Sequence, residues 1–182
     1  WDDVPHISDK TKAELLESTP PYLRDARSKG EPGLGAGAIY PIELSQVLVD
    51  PFQIPRYWPR AYALDVGWER TAVLWGALNR EEDCWYLYTE HYRSQAEPSV
   101  HATAIRARGE WIPGLFDPGA RGRSLEDGRQ ILTSYTDLGL KLSESKSALE
   151  GGCYEVWERL STGRLKAFRN LMNWQSEYRL YR

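Results

Sequence analysis

Cysteine is scarce: Cys84 and Cys153 stand far apart and outside any C-x-x-C pattern, so neither a disulfide framework nor a zinc site is written into the chain. Apolar runs stop well short of the ~18 residues a membrane span needs. The opening residues, W-D-D-V-P-H, are acidic and have neither signal-peptide nor transit-peptide character, which makes the cytoplasm the expected compartment and a membrane partner unexpected. No G-x-x-x-x-G-K-[ST] run exists, so a phosphate loop is excluded. The run G-L-G-A-G-A at 33–38 is no dinucleotide loop either, because no strand precedes it and Ile39-Tyr40-Pro41 follows where a helix should open. His6, His91 and His101 are scattered, and no Ser-His-Asp spacing supports nucleophilic hydrolysis. Proline (11) and glycine (15) are near average usage, which excludes collagen-like and linker-like classes.

What is present is enough for a compact fold, since 182 residues with 41% hydrophobic positions can bury roughly 70% of the extended chain's surface. The eight tryptophans read as an aromatic-rich core. Charge is uneven. Residues 1–100 carry 10 Lys/Arg against 16 Asp/Glu and residues 101–182 carry 13 against 10, giving −6 followed by +3. That balance argues against a whole-surface nucleic-acid binder and leaves room for a local basic face beside an acidic site.

Residues 1–60 are heavily punctuated by P-P-Y, E-P-G, D-P-F-Q-I-P and W-P-R. One short helix is expected there, opened by Ser8 and closed before Pro20-Pro21; the rest reads as an extended arm. Residues 61–182 read as a domain. A-Y-A-L-D-V-G, T-A-V-L-W-G-A-L-N and C-W-Y-L-Y-T-E-H-Y-R are three β-rich runs joined by short turns, a spacing that favours an antiparallel meander. A helix over P-S-V-H-A-T-A-I-R-A-R-G and a strand over W-I-P-G-L-F-D follow. Next come a helix with Leu125, Gly128, Leu132 and Tyr135 on one face, a short strand L-K-L-S-E-S, and a helix striped by Leu149, Cys153, Val156, Trp157 and Leu160. R-L-K-A-F reads as a short strand and N-L-M-N-W-Q-S-E-Y-R-L-Y-R as a last helix. This order predicts an α/β domain: a mixed sheet in which a three-strand antiparallel meander is continued by parallel strands, flanked by helices, the plan of the ribonuclease H-like fold.

Asp65 ends the first predicted strand and Asp117 the fourth. If those strands are parallel neighbours, both carboxylates project into one crevice. Like charges so placed call for a divalent cation, and hard oxygens without nearby Cys or His select Mg²⁺ or Mn²⁺ over zinc. Asp before Val-Gly or Pro-Gly is also an ordinary turn residue; the pair together is the minimum constellation of two-metal nucleases.

The runs A-L-D-V-G-W-E-R-T-A, Y-R-S-Q-A-E-P-S-V-H, F-D-P-G-A-R-G-R-S and Y-E-V-W-E-R-L-S-T-G-R-L-K resemble the nuclease domain of tailed-phage terminase large subunits. W-D-D-V-P-H, R-D-A-R-S-K-G and G-A-I-Y-P are similar to the segment joining that family's ATPase to its nuclease. The resemblance implies a ribonuclease H-like endonuclease that cuts concatemeric viral DNA with Mg²⁺ or Mn²⁺, with Asp65 and Asp117 matching the first two metal-binding aspartates. It also implies double-stranded viral DNA, the ATPase domain, the small terminase subunit and the portal as partners, in the host cytoplasm at the assembling procapsid.

The family's third metal-binding aspartate lies in a D-x-L-M-D-A-like helix, and the chain reaches Arg182 without such a run, so an incomplete metal cage and impaired cutting are expected. Glu150 can stand in for it, or can be a helix-opening acid favoured by the dipole. Arg121 and Arg123, in D-P-G-A-R-G-R-S, suit phosphate contacts, or form an exposed loop; Lys146 extends the same basic track. Glu90 and His91, ending the third strand, read as surface or supporting groups. Two rival readings remain open: a catalytically silent docking or DNA-binding module of the packaging motor, and another ribonuclease H-like nuclease of resolvase or transposase type.

Overall fold

The computed structural model describes residues 8–17, 39–117, 125–145 and 149–181. Helix α1 (Asp9–Glu17) opens on Ser8, whose hydroxyl accepts from the Thr11 amide at 3.2 Å, the satisfaction of an orphan N–H that a serine cap supplies. Next come α2 (Leu44–Val47), β1 (Leu48–Val49), and the meander of β2 (Arg60–Asp65), β3 (Thr71–Asn79) and β4 (Cys84–Arg93). Helix α3 (Pro98–Arg106), β5 (Gly114–Phe116), α4 (Leu125–Asp137), β6 (Leu142–Glu144), α5 (Leu149–Ser161), β7 (Leu165–Phe168) and α6 (Met172–Leu180) complete the order.

The seven strands form one sheet in the order β1-β7-β4-β3-β2-β5-β6. The antiparallel centre β2-β3-β4 is extended in parallel on both sides, by β5 and β6 beyond β2 and by β7 and β1 beyond β4. The mixed sheet expected from the element order is therefore the one formed. It reaches further upstream than the meander, because Leu48 and Val49, within the span read as an arm, pair with Ala167 and Phe168. Val47 beside them is buried.

Alternation along the strands sorts side chains onto two faces. Tyr62, Leu64, Val73, Trp75 and Phe116 pack with Ala102 and Ile105 of α3 and Tyr135 of α4. Leu74 and Leu87 turn the other way, into a second cluster with Leu160 of α5, Leu171, and Trp174 and Tyr178 of α6. Cys84 and Cys153 are buried and free, packing residues as the sequence suggests.

Two polar devices hold this frame. The Glu90 carboxylate on β4 accepts from the Asn173 and Trp174 amides at 3.0 and 2.8 Å and from Asn173 Nδ2 at 2.9 Å. Those amides belong to the open first turn of α6, which has no capping side chain of its own. A carboxylate from another element thus supplies the cap, a contribution on the order of 1 kcal/mol.

On the opposite face, His91 of β4 meets His101 of α3, Nε2 to Nδ1, at 2.9 Å, and His101 Nε2 lies 3.2 Å from the Ala96 carbonyl. A carbonyl only accepts, so His101 carries its proton on Nε2 and His91 Nε2 donates to the bare Nδ1; both rings are neutral. Burial first, then the His101, Arg108 and Arg93 charges, push His91 down to about 4. A histidine lowered in the folded state destabilises as pH falls, because from about 6.5 down to about 4 the unfolded chain takes up a proton the folded chain refuses. The urea midpoint is therefore expected to drop between pH 7 and pH 4.5. His91→Gln, which cannot titrate, should flatten that drop; equal slopes for the two proteins would dismiss His91 as its source.

Candidate active site

The parallel pairing of β2 with β5 decides where the two aspartates lie. Tyr62, Ala63 and Leu64 stand opposite Gly114, Leu115 and Phe116, so Asp65 and Asp117 come one step further along the same register, at the carboxyl ends of adjacent parallel strands. Leu64 and Phe116 face the α3–α4 core; their successors, by alternation, face the other side together. There the sheet is open, with Leu115 49% exposed and Ala63 exposed beside it.

One cavity of about 410 Å³ forms on this open face, lined by both Asp65 and Asp117 together with Ala63, Ala72, Leu74, Leu115 and Ser145. Asp65 is half-buried and Asp117 exposed. Two carboxylates over a largely apolar floor, with no cysteine or histidine in the lining, form a donor set suited to a hard divalent cation. Among the described residues no group of three or more His, Cys, Asp and Glu side chains is placed to hold one ion. Glu150 stands in the first turn of α5, five residues beyond the cavity residue Ser145. Arg121, Arg123, Lys146 and the G-L-G-A-G-A run lie outside the described residues.

Comparison with known proteins places this geometry in context. Over 98% of its length the chain is 25% identical to the large terminase subunit of Salmonella phage P22, of which it spans 38%. The solved nuclease domain of the P22 large terminase matches with a TM-score of 0.73 at 24% identity, over 81% of this chain and 80% of that one. The fold is that of a phage terminase nuclease domain. The large terminase nuclease of thermophilic phage G20c, solved with bound zinc, also matches, with a TM-score of 0.56 at 12% identity over 76% of this chain and 85% of that one. The same G20c nuclease has been solved with bound magnesium. No family model matches the chain.

Within this terminase nuclease fold, several features at the aspartate edge go beyond the sequence reading. Ser145, just after β6, enters the cavity because β6 pairs in parallel with β5 and ends at the same edge. Glu90 proves to be a helix cap, and the half-buried His91 pairs with the buried His101 on the opposite side. Arg70, in the turn after Asp65, is held by Tyr92 of β4 and Glu177 of α6. No spacing rule reveals that link, since its partners lie 22 and 107 residues away.

Proposed function

We propose that this chain is the metal-dependent DNA endonuclease portion of a viral genome-packaging terminase, cutting concatemeric double-stranded viral DNA by two-metal phosphodiester hydrolysis. The observation that carries the reading is a solvent-open cavity lined by both Asp65 and Asp117 at the ends of adjacent parallel strands. Similarity to the P22 large terminase supports it.

Asp65 and Asp117 would hold Mg²⁺ or Mn²⁺ between them, with Glu150 a further candidate acid. When bound, the cations supply Lewis-acid stabilisation of the phosphodiester's charge and activation of water. The protein's own task is to keep two anionic side chains fixed on rigid strands, to close the floor beneath them with Ala72, Leu74 and Leu115, and to orient phosphates through Arg121, Arg123 and Lys146. The partners of this reading are the terminase ATPase domain, the small subunit and the portal, and its setting is the host cytoplasm at the procapsid.

Supercoiled plasmid incubated with Mg²⁺, Mn²⁺ or EDTA tests the proposal, both for this chain and for one continued past Arg182. Nicking that requires the cation, in either chain, supports it. Plasmid left intact by both chains would overturn the enzymatic reading in favour of a docking module.

A further inference from the structure

The β2–β3 turn, residues 66–70, leaves the sheet at the edge where Asp65 and Asp117 stand. It is short and tightly pinned. The Thr71 hydroxyl, 2% exposed, donates to the Gly67 carbonyl at 2.9 Å, and the Gln95 amide donates to the Trp68 carbonyl at 2.9 Å. Gln95 takes up a left-handed conformation, φ 48°, in the adjoining bend. On this pinned turn Trp68 is 66% exposed, its indole standing in water. Burial would be the ordinary fate of so large an apolar surface.

Arg70 is fixed as well. Its Nη1 donates to the Tyr92 hydroxyl at 2.8 Å and lies 3.7 Å from Glu177 Oε1, while the Tyr92 hydroxyl itself donates to Glu177 at 2.5 Å. The guanidinium sits over the Tyr92 ring, 5.7 Å from its centroid. Asp65 pairs with Ala72 and Ala72 with Tyr92, so the ring that carries Arg70 is two strands from Asp65, roughly 10 Å away. An ion pair this exposed, 60% and 57% at its two side chains, adds little to stability. It does orient a rigid fork, of which only Nη1 is engaged among the described residues.

We propose that Trp68 and Arg70 form a strand-gripping site for the DNA substrate, Arg70 binding a backbone phosphate and Trp68 packing on the sugar or base beside it. Arg70 then lies in the turn after β2, the strand that carries Asp65 toward the site. Tyr92 and Glu177 are positioning residues that aim the guanidinium. This inference rests on the nuclease reading and adds to it the path the substrate strand takes across the sheet edge.

The test is binding of a fluorescein-labelled DNA duplex in EDTA, by anisotropy, between 50 and 200 mM NaCl. Arg70→Ala is expected to weaken binding about fivefold or more at the lowest salt and to reduce the log–log salt slope by about one, the signature of one lost phosphate contact. Arg70→Lys should restore the slope with part of the affinity. Trp68→Ala should weaken binding by a similar factor with the slope unchanged, because it removes contact area and no charge. Arg80→Ala, in the exposed β3–β4 turn at the far end of the sheet, should change neither. Melting temperatures should stay within about 2 °C of the parent, as expected of exposed positions. If Arg70→Ala matches the parent in affinity and slope, or if Arg80→Ala loses as much, the grip is overturned while the nuclease reading stands. If the parent chain neither binds nor cuts DNA, both fall.

Discussion

Under the proposed metal-dependent reading, Asp65→Asn and Asp117→Asn should each reduce Mg²⁺- or Mn²⁺-dependent plasmid nicking by at least ~100-fold, because several kcal/mol of charge stabilisation would then depend on these carboxylates and each 1.4 kcal/mol is a factor of ten in rate. The substitution keeps the side chain's shape while removing its charge, so the fold should be retained. The melting temperature in EDTA should be at or above that of the parent, since two like charges on one cavity wall become one. Addition of Mn²⁺ should raise the parent's melting temperature, by an amount that grows with the logarithm of its concentration above the dissociation constant, and should raise that of either variant less. The thermal shift separates the metal role from a purely structural one. A variant that still responds to Mn²⁺ like the parent, or still nicks at the parent rate, would remove that aspartate from the site.

Much of this arrangement was legible in the residues themselves. The meander could be read because Ala61 to Asp65, Thr71 to Asn79 and Cys84 to Arg93 are β-rich runs separated by turns too short for anything but hairpins. A parallel β5 was legible from the intervening helix, Pro98–Arg106, which supplies a crossover, but its place beside β2 was only a condition in the sequence and comes from the strand pairing. Asp65 and Asp117 stood out because each ends an apolar run. Strand β1 did not, since two residues carry no periodicity and Leu48–Val49 becomes a strand only through β7, over a hundred residues away.

Glu90 and Arg70 were opaque for a related reason. A carboxylate that caps a helix 83 residues downstream leaves the same local trace as one that faces solvent. An arginine oriented by Tyr92 and Glu177 reads, in W-E-R-T, as an ordinary turn residue. Local pattern reports which face a side chain takes; it is silent on which distant element waits there.

Gly114 sits at the join between the two aspartate strands, and Gly114→Ala is expected to destabilise the protein by about 1–2 kcal/mol. Two effects compete. Gly114 is not among the residues with positive φ, so alanine is permitted by the backbone and would contribute a gain of about 0.4–1 kcal/mol by restricting the unfolded chain. Against this, a Cβ at Gly114 would lie 2.3 Å from Cε2 and Cζ of Tyr62 and 2.7 Å from Leu142 Cδ2, the residues paired with it on β2 and β6. Tyr62 cannot swing aside, being 3% exposed with its ring 5.7 Å from that of Trp75; burial also pushes its phenol up to about 12. Overpacking of this kind costs about 1–3 kcal/mol and occasionally more, so the loss wins, and the melting temperature should fall by about 2–8 °C. Relief requires β5 to move away from β2, which carries Asp117 away from Asp65, so cation-dependent nicking should fall further than stability alone would dictate. Tyr62→Leu combined with Gly114→Ala should be less destabilised than the sum of the single changes, a coupling a double-mutant cycle measures directly. Gly151→Ala, in α5 where an added Cβ meets nothing within 4 Å, should instead stabilise by up to about 1 kcal/mol. Equal shifts at the two glycines would show that the chain responds to helix and strand propensity alone, and that the contact between Tyr62 and Gly114 does not fix how β2 and β5 are joined.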